Sequence, residues 1–362
     1  MSRIDEMIQE LCPGGVAFSR LADVARIRNG KDYKSLGAGE IPVFGTGGVM
    51  TTVDTAAYPG PSVLIPRKGS LSKLYYVDAP FWTVDTIFYT EIDDSRMVPK
   101  FLYYFLATQH LEDLNQAGGV PSLTQAVLNA LEIPIPPLEL QLEIVRVLDL
   151  FTALEAELEA ELEARRHQYT HYRDSLLTFP EGTVRWIPMG ELADLNWGNT
   201  AITKKSYVTQ GTCWPAFSAS GQDGFLSFYD FDRSAVVLSA IGAQAGKTWR
   251  TSGKWSCIKN TIRYFSRDES VVTTDYLYWI TSRVRTFPRR GSAQPFISKG
   301  DADAVLIPVP PLDEQARIVA ILDRFDALVN DLSVGLPAEL AARRKQYEYY
   351  RDRLLSFKEA VA

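Results

Sequence analysis

IPIPPLELQLEIVRVLDLF, from Ile133 to Phe151, and IPVPPLDEQARIVAILDRF, from Ile307 to Phe325, are one motif written twice, 174 residues apart. Downstream, ARRHQYTHYRDSLLTF ending at Phe179 recurs as ARRKQYEYYRDRLLSF ending at Phe357, now 178 residues apart. Four residues have therefore entered the second copy between Phe325 and Arg343. An internal repeat fixes the unit from which a chain is built, so it outranks every local signal.

At heptad spacing the first copy sets Ile144, Leu148, Phe151, Leu158, Leu162, Tyr169, Tyr172 and Leu176 on one seam, broken only by Glu155 and Arg165. Such a seam argues for a long helix packed against another in the manner of a coiled coil. Residues 141–178 would span about 57 Å at the α-helical rise. The second copy carries the seam through Ile318, Leu322, Phe325, Val329, Leu332 and Leu336. It then needs an extra step of four to reach Leu340, Arg343, Tyr347, Tyr350 and Leu354, which is a stutter. The stutter coincides with Gly335-Leu336-Pro337, and an interior proline removes a donor and clashes with the preceding turn, so a kink or short break is expected there. Glu155, Glu157, Glu159, Glu161 and Glu163 read as a solvated helix face.

Around the helical repeats the chain falls into residues 1–130, 131–184, 185–305 and 306–362. A short amphipathic helix from Ile4 to Leu11 stops at Cys12-Pro13-Gly14-Gly15, and the junction at Leu177 to Gly182 has the same grammar. Leu21-Ala22-Asp23 and Leu192-Ala193-Asp194 open the two globular segments alike. The first segment has predicted strands at 62–66, 73–77 and 86–90, then a helix at 100–107. The second has strands at 235–238 and 261–265, then a helix at 275–282. Both close on a related pattern, VPSLTQAVLNALEIPIPP and QPFISKGDADAVLIPVPP, in which Pro121 matches Pro295 and Leu123 matches Ile297. The expected architecture is α+β: two related globular α/β segments separated by two long antiparallel coiled-coil helices with pseudo-two-fold symmetry. The N-terminal helix should then meet the end of the second long helix near Phe357.

The net charge of -6 is unevenly spread. Residues 1–130 carry 11 basic and 14 acidic side chains, 131–184 carry 4 and 11, 185–305 carry 15 and 10, and 306–362 carry 8 and 9. The acid is concentrated in the first helical repeat and the second globular segment is basic, so whole-chain charge does not argue against a nucleic-acid partner. The sequence has no apolar run long enough to span a membrane and no apolar signal core in MSRIDEMIQELCPGG, which points to the cytoplasm. Cys12, Cys213 and Cys257 are spaced for neither a disulfide framework nor a zinc site.

No motif nominates a catalytic nucleophile or base. Gly242 to Thr248 looks like a phosphate loop, but three residues separate its glycines where that motif needs four. His167 and His171 have the spacing of a zinc helix, yet Gln168 stands where the protease motif needs glutamate. Both Pro-Pro pairs are followed by leucine, unlike the motif of an amino-methyltransferase. What remains is a set of loop cations on two related segments: Lys31, Lys34, Arg67, Lys68 and Lys73, then Lys204, Lys205, Lys247, Arg250, Arg289 and Arg290. Such groups in turns can contact phosphates or guanines. Tyr75, Tyr76, Phe81 and Trp82 read as core.

At PPLELQLEIVRVLDLF, PPLDEQARIVAILDRF and ARRKQYEYYRDRLLSF the chain resembles the DNA-specificity subunits of type I restriction–modification systems, over essentially its whole length. The resemblance also takes in Pro66 to Tyr89, which looks like the first target-recognition domain. The pair Glu314-Gln315 of the second copy is Leu140-Gln141 in the first, a departure from the family pattern. By resemblance the chain is not an enzyme. Its expected partners are double-stranded DNA, two methyltransferase subunits that bind S-adenosylmethionine, and nuclease/translocase subunits that use ATP and Mg. Each recognition domain would read one half of a split target, and the helices would dock the methyltransferases. The competing reading is a coiled-coil scaffold whose globular halves bind other proteins.

Overall fold

The computed structural model describes residues 3–115, 121–283, 286–331 and 333–360. Leu332 of the expected seam and Val120 of the first closing pattern lie outside them. The chain divides into two compact units, Met1–Glu159 with Leu340–Ala362, and Ala160–Glu339.

In chain order the first half runs α1 (Arg3–Leu11), β1 (Phe18–Arg20), β2 (Ala25–Asn29), β3 (Ile41–Gly45), β4 (Gly48–Val53), β5 (Ser62–Pro66), β6 (Tyr75–Val77), β7 (Trp82–Thr83), β8 (Ile87–Ile92), α2 (Pro99–Ala107), α3 (Gln125–Asn129), β9 (Glu132–Pro134) and α4 (Leu138–Leu176). The second runs β10 (Arg185–Pro188), α5 (Met189–Leu192), β11 (Ala193–Trp197), β12 (Trp214–Ser218), β13 (Gly221–Leu226), β14 (Phe231–Asp232), β15 (Ala235–Ser239), β16 (Thr248–Thr251), β17 (Lys254–Cys257), β18 (Thr261–Ser266), α6 (Thr274–Thr281), α7 (Lys299–Asp303), β19 (Leu306–Val309), α8 (Leu312–Asn330) and α9 (Leu336–Leu354).

The two globular segments share a topology. One sheet has the order β2-β8-β5-β6 in the first and β11-β18-β15-β16 in the second. The other is β4-β3-β7 in the first and β13-β12-β17-β14 in the second, so β14 is an addition. In both, the hairpin strand is bulged, at Val43/Phe44 and at Ala216/Phe217, and pairs in parallel with β7 or β17. The repeated IPxPP motif forms a short strand, β9 or β19, pairing antiparallel with the strand that opens its own segment. The closing proline pair cannot donate to a ladder, so the strand stops before it and the helix starts at the leucine that follows.

The reason Gln141 and Gln315 recur is visible in their contacts. Gln141, fully buried, accepts the Val98 N–H on Oε1 at 2.7 Å and donates from Nε2 to the Arg96 and Pro136 carbonyls at 2.9 and 2.8 Å. Gln315 accepts the Thr273 N–H at 2.9 Å and donates to the Val271 and Pro310 carbonyls at 3.0 and 2.9 Å. Each glutamine thus fastens the start of an aromatic-rich helix, α2 or α6, to the long helix that follows it. The substitution of Leu140 for Glu314 leaves this contact intact. Leu140 is itself buried in the core, whereas Glu314 pairs with Arg317 one turn on.

A second tie lies further along. Asp149 accepts the Tyr104 hydroxyl at 2.6 Å and the Lys100 ammonium at 2.8 Å, and Asp323 accepts the Trp279 indole N–H at 2.9 Å.

In the first unit α4 and α9 pack antiparallel. Phe151 stacks on Tyr350 with centroids 5.6 Å apart, while Arg344 reaches back to Glu155 at 2.6 Å and to Glu159. Those two glutamates are therefore engaged, unlike the solvated face expected from composition. In the second unit α4 and α8 are antiparallel, with Tyr172 stacked on Phe325 at 5.5 Å and the Tyr169 hydroxyl donating to Asp326. The seam holds with one shift at its end: Leu177, just past α4, is fully buried, and Leu176 is half-buried.

The second helical repeat is two helices, not one. α8 ends at Asn330 and α9 begins at Leu336, and Asp331 caps the Ser333 amide at 2.7 Å in between. Pro337 sits in the first turn of α9, where a missing N–H costs nothing. The four inserted residues and the proline thus make a break rather than a bend.

At the chain ends, Val16 N–H donates to the Lys358 carbonyl at 2.8 Å and Ala360 N–H to the Val16 carbonyl at 3.0 Å. Arg353 pairs with Asp5 at 2.9 Å, and Ile4 shares a core with Leu354 and Leu355.

Candidate nucleic-acid interface

Three backbone segments meet at one edge of the first unit. They are the β3–β4 turn, the β5–β6 loop and residues 121–123. Thr46 Oγ1 donates within 3.0 Å of both the Lys68 and the Thr86 carbonyl, and the Tyr75 hydroxyl donates to the Thr46 carbonyl at 3.0 Å. Gly69 N–H donates to the Pro121 carbonyl at 3.1 Å and Leu123 N–H to the Arg67 carbonyl at 2.9 Å. Gly48 and Gly69 have φ of 115° and 86°, a region open to glycine at little cost.

The second unit repeats the arrangement with the β12–β13 turn, the β15–β16 loop and residues 295–297. Gly242 N–H donates to the Pro295 carbonyl and Ile297 N–H to the Ala240 carbonyl, both at 2.8 Å. Pro121 and Pro295, matched in sequence, thus do the same backbone work. Trp249 takes the place of Tyr75: its indole lies against Gly221, where a Cβ would come within 2.8 Å of Nε1. Lys73 lies 5.6 Å from the Tyr75 ring centroid and Lys247 lies 5.7 Å from that of Trp249.

The candidate cations divide accordingly. Lys68 and Lys73 are exposed at the first edge, with Lys73 Nζ 3.1 Å from the Gly47 carbonyl and Arg67 half-buried over the Phe88 ring. Lys31 and Lys34 sit apart on the exposed loop between β2 and β3. In the second unit Lys247 is exposed at the edge, and the Arg289 guanidinium borders Gly246. Arg290 is held by Asp301, and Lys204 by Asp223. Burial works to raise the Asp223 carboxyl, but hydrogen bonds from Lys204, Ser218 and Tyr207 outweigh it and hold the group below the usual carboxylate range. Lys205 is exposed.

Arg250 is engaged within the unit. It pairs with Asp323 at 3.0 Å and Asp275 at 3.5 Å and lies over the Tyr278 ring, joining β16 to α6 and α8. Of the four aromatic residues read as core, Phe81 is fully buried and Tyr75, Tyr76 and Trp82 are half-buried.

The Gly242 to Thr248 loop leads into a strand, and its amides are used locally: Ala245 N–H bonds the Gly242 carbonyl, and Gly246 N–H bonds Ser239. His167 pairs with Glu163 at 3.2 Å, and His171 lies edge-on to Tyr172. Among the described residues no group of three metal-ligating side chains converges. Sequence reasoning missed Lys259 and Asn260 in the β17–β18 turn, and exposed Val49 on β4. The Lys-Asn dipeptide between two strands was the available signal, because asparagine tolerates the left-handed conformation found at Asn260, φ 68°.

Residues 13–164 and 181–342 each match the family described as Type I restriction modification DNA specificity domain. The chain belongs to that family. It is 29% identical over 379 residues to a putative type I restriction enzyme specificity subunit of Haemophilus influenzae, covering 97% of this chain and 98% of the relative. It is 32% identical over 302 residues to the specificity subunit of a type I restriction enzyme of Escherichia coli, covering 74% of this chain and 73% of that one. The crystal structure of a type I specificity subunit from M. genitalium has a TM-score of 0.64 at 16% identity, covering 94% of this chain and 96% of that one. Two matches to one specificity domain, each on its own stretch of chain, coincide with the internal repeat. This specificity subunit has no described helix long and apolar enough to cross a membrane.

Proposed function

We propose that this specificity subunit reads a split duplex DNA target, one half-site per globular segment, and docks methyltransferase subunits through its helical repeats. The observation that carries the reading is the three-segment edge built twice on the same backbone bonds with different side chains. Lys68, Lys73 and Tyr75 occupy it in the first segment, and Lys247, Arg289 and Trp249 in the second. A common frame with variable side chains suits two readers of different sequence, since phosphate contacts set register and side chains at base edges specify. The subunit contributes no chemistry of its own. S-adenosylmethionine belongs to the methyltransferase, and ATP with Mg to the nuclease subunits.

The test is exchange of residues 185–305 for the counterpart of a relative, followed by mapping of methylated bases in cells that carry the methyltransferase. One half of the methylated target should change and the other should stay. A change in both halves, or in neither, sinks the reading. A scaffold that binds only proteins would show no steep loss of duplex binding as salt rises.

A further inference from the structure

A cleft of about 510 Å³ opens beside the β12–β13 turn of the second unit, lined by Lys204, Lys205, Ser218, Ser220, Lys259 and Asn260. It is contiguous with the three-segment edge, because Ala240 of the β15–β16 loop donates its N–H to the Asn260 carbonyl at 3.0 Å. No carboxylate is among these lining residues, and Asp223, which holds two of them, is taken up: it binds Lys204, accepts the Tyr207 hydroxyl at 2.8 Å and accepts the Ser218 hydroxyl at 2.6 Å. Among the described residues Lys205 and Lys259 have no acidic partner, and both are exposed. Two unneutralised ammoniums on one wall system, with Asp223 locking the third lysine in place, leave an electropositive cleft that wants an anion.

The first unit differs at the matching turn. Its turn between β7 and β8 is Val84-Asp85-Thr86, with exposed Asp85 where the second unit carries Lys259-Asn260. The difference accords with the excess of basic over acidic residues in 185–305 and the reverse in 1–130.

We infer that this cleft seats a backbone phosphate of the DNA bound by the second segment, with Lys205 and Lys259 as its contacts. The inference rests on the DNA-reading function proposed above and deepens it: the second segment holds the backbone beside its β12–β13 turn. A free phosphate ion would satisfy the same groups, so the test separates the two.

The full chain, assembled with its methyltransferase, is titrated against a duplex bearing the mapped target over a range of salt. Lys205→Ala/Lys259→Ala should make the salt slope shallower by about 1 and weaken binding about tenfold at 0.1 M salt, since each phosphate contact contributes about 0.9 to the slope. Specific and non-specific duplexes should weaken alike, the methylated sequence should not change, and Lys205→Arg/Lys259→Arg should behave as wild type. An unchanged slope in the alanine variant, against a steep wild-type slope, overturns the phosphate seat while leaving the DNA reading in place. An altered methylated sequence overturns it in favour of base contacts. Phosphorus-31 broadening of inorganic phosphate that depends on the two lysines, with the DNA slope unchanged, overturns it in favour of a free-ion site. A wild-type complex whose duplex binding ignores salt removes the DNA reading itself, and the seat with it.

Discussion

The Thr273 backbone N–H lies 2.9 Å from Gln315 Oε1, so the N-cap of one helix is held by a buried side chain of another. Replacing Gln315 with leucine keeps the volume and strips three hydrogen bonds from buried or half-buried groups. The cost should be about 3 kcal/mol, the scale of leaving such groups unpaired. Because the chain has two compact units, the informative measurement is hydrogen exchange over α6, which should accelerate while α2 stays protected. Gln141→Leu should do the reverse. Equal protection of α6 in wild type and Gln315→Leu would show that the bonds merely accompany the packing.

Asp223 supplies a pH dependence. Its folded-state carboxyl is held low by Lys204, Ser218 and Tyr207 against the opposing effect of burial. A depressed folded pKa contributes stability above the unfolded value near 4, and that contribution is lost as pH falls through the folded value. The thermal stability of the second unit should therefore begin to drop below about pH 5 and keep falling as pH passes below the usual carboxylate range. In Asp223→Asn the drop should be smaller. An identical acid profile in the variant would assign the loss to other carboxylates.

The three thiols should separate by reactivity. Cys12 and Cys257 are buried and Cys213 is half-buried. Burial pushes the Cys257 thiol up to about 11, so almost none of it is thiolate at neutral pH. Iodoacetamide should label Cys213 alone in the native protein and all three residues after unfolding. Rapid native labelling of Cys257, read by peptide mass, would contradict its placement.

The chain should tolerate circular permutation. Val16 and Lys358 are joined by a backbone hydrogen bond, while Gly182 has φ 80° and open space around its would-be Cβ. A permutant linking Ala362 to Met1 and opened at Gly182 should keep wild-type far-ultraviolet circular dichroism and methylation specificity. Loss of fold would show that continuity at Gly182 matters more than its geometry suggests.

What the sequence disclosed follows from where the physical signal was strong. Apolar seams at heptad spacing located α4, α8 and α9, and the proline with the four-residue insertion located the break between Asn330 and Leu336. The match of Pro121 with Pro295 survived to the level of single backbone bonds. Side-chain partnerships were harder to read. Arg250 had the composition of a surface cation, yet Asp323, 73 residues away, takes it up. Glu155 and Glu159 looked solvated because Arg344, 189 and 185 residues distant, gave no local sign of them. Lys259 was overlooked because its neighbours in the cleft, Lys204 and Lys205, come from a different loop.

The bridge between Val16 and Glu359 also sets an order on biosynthesis. The second unit is one continuous stretch, Ala160–Glu339, and can close on itself while the ribosome is still elongating. The first unit cannot, because its core includes Leu354 and Leu355, and its long helix lacks Tyr347 and Tyr350 until residues 340–360 emerge. The part of the protein made first is thus finished last. Between those two moments the Phe151 ring lacks both tyrosines, a window in which a chaperone or a second nascent chain competes with residues 340–360 for it.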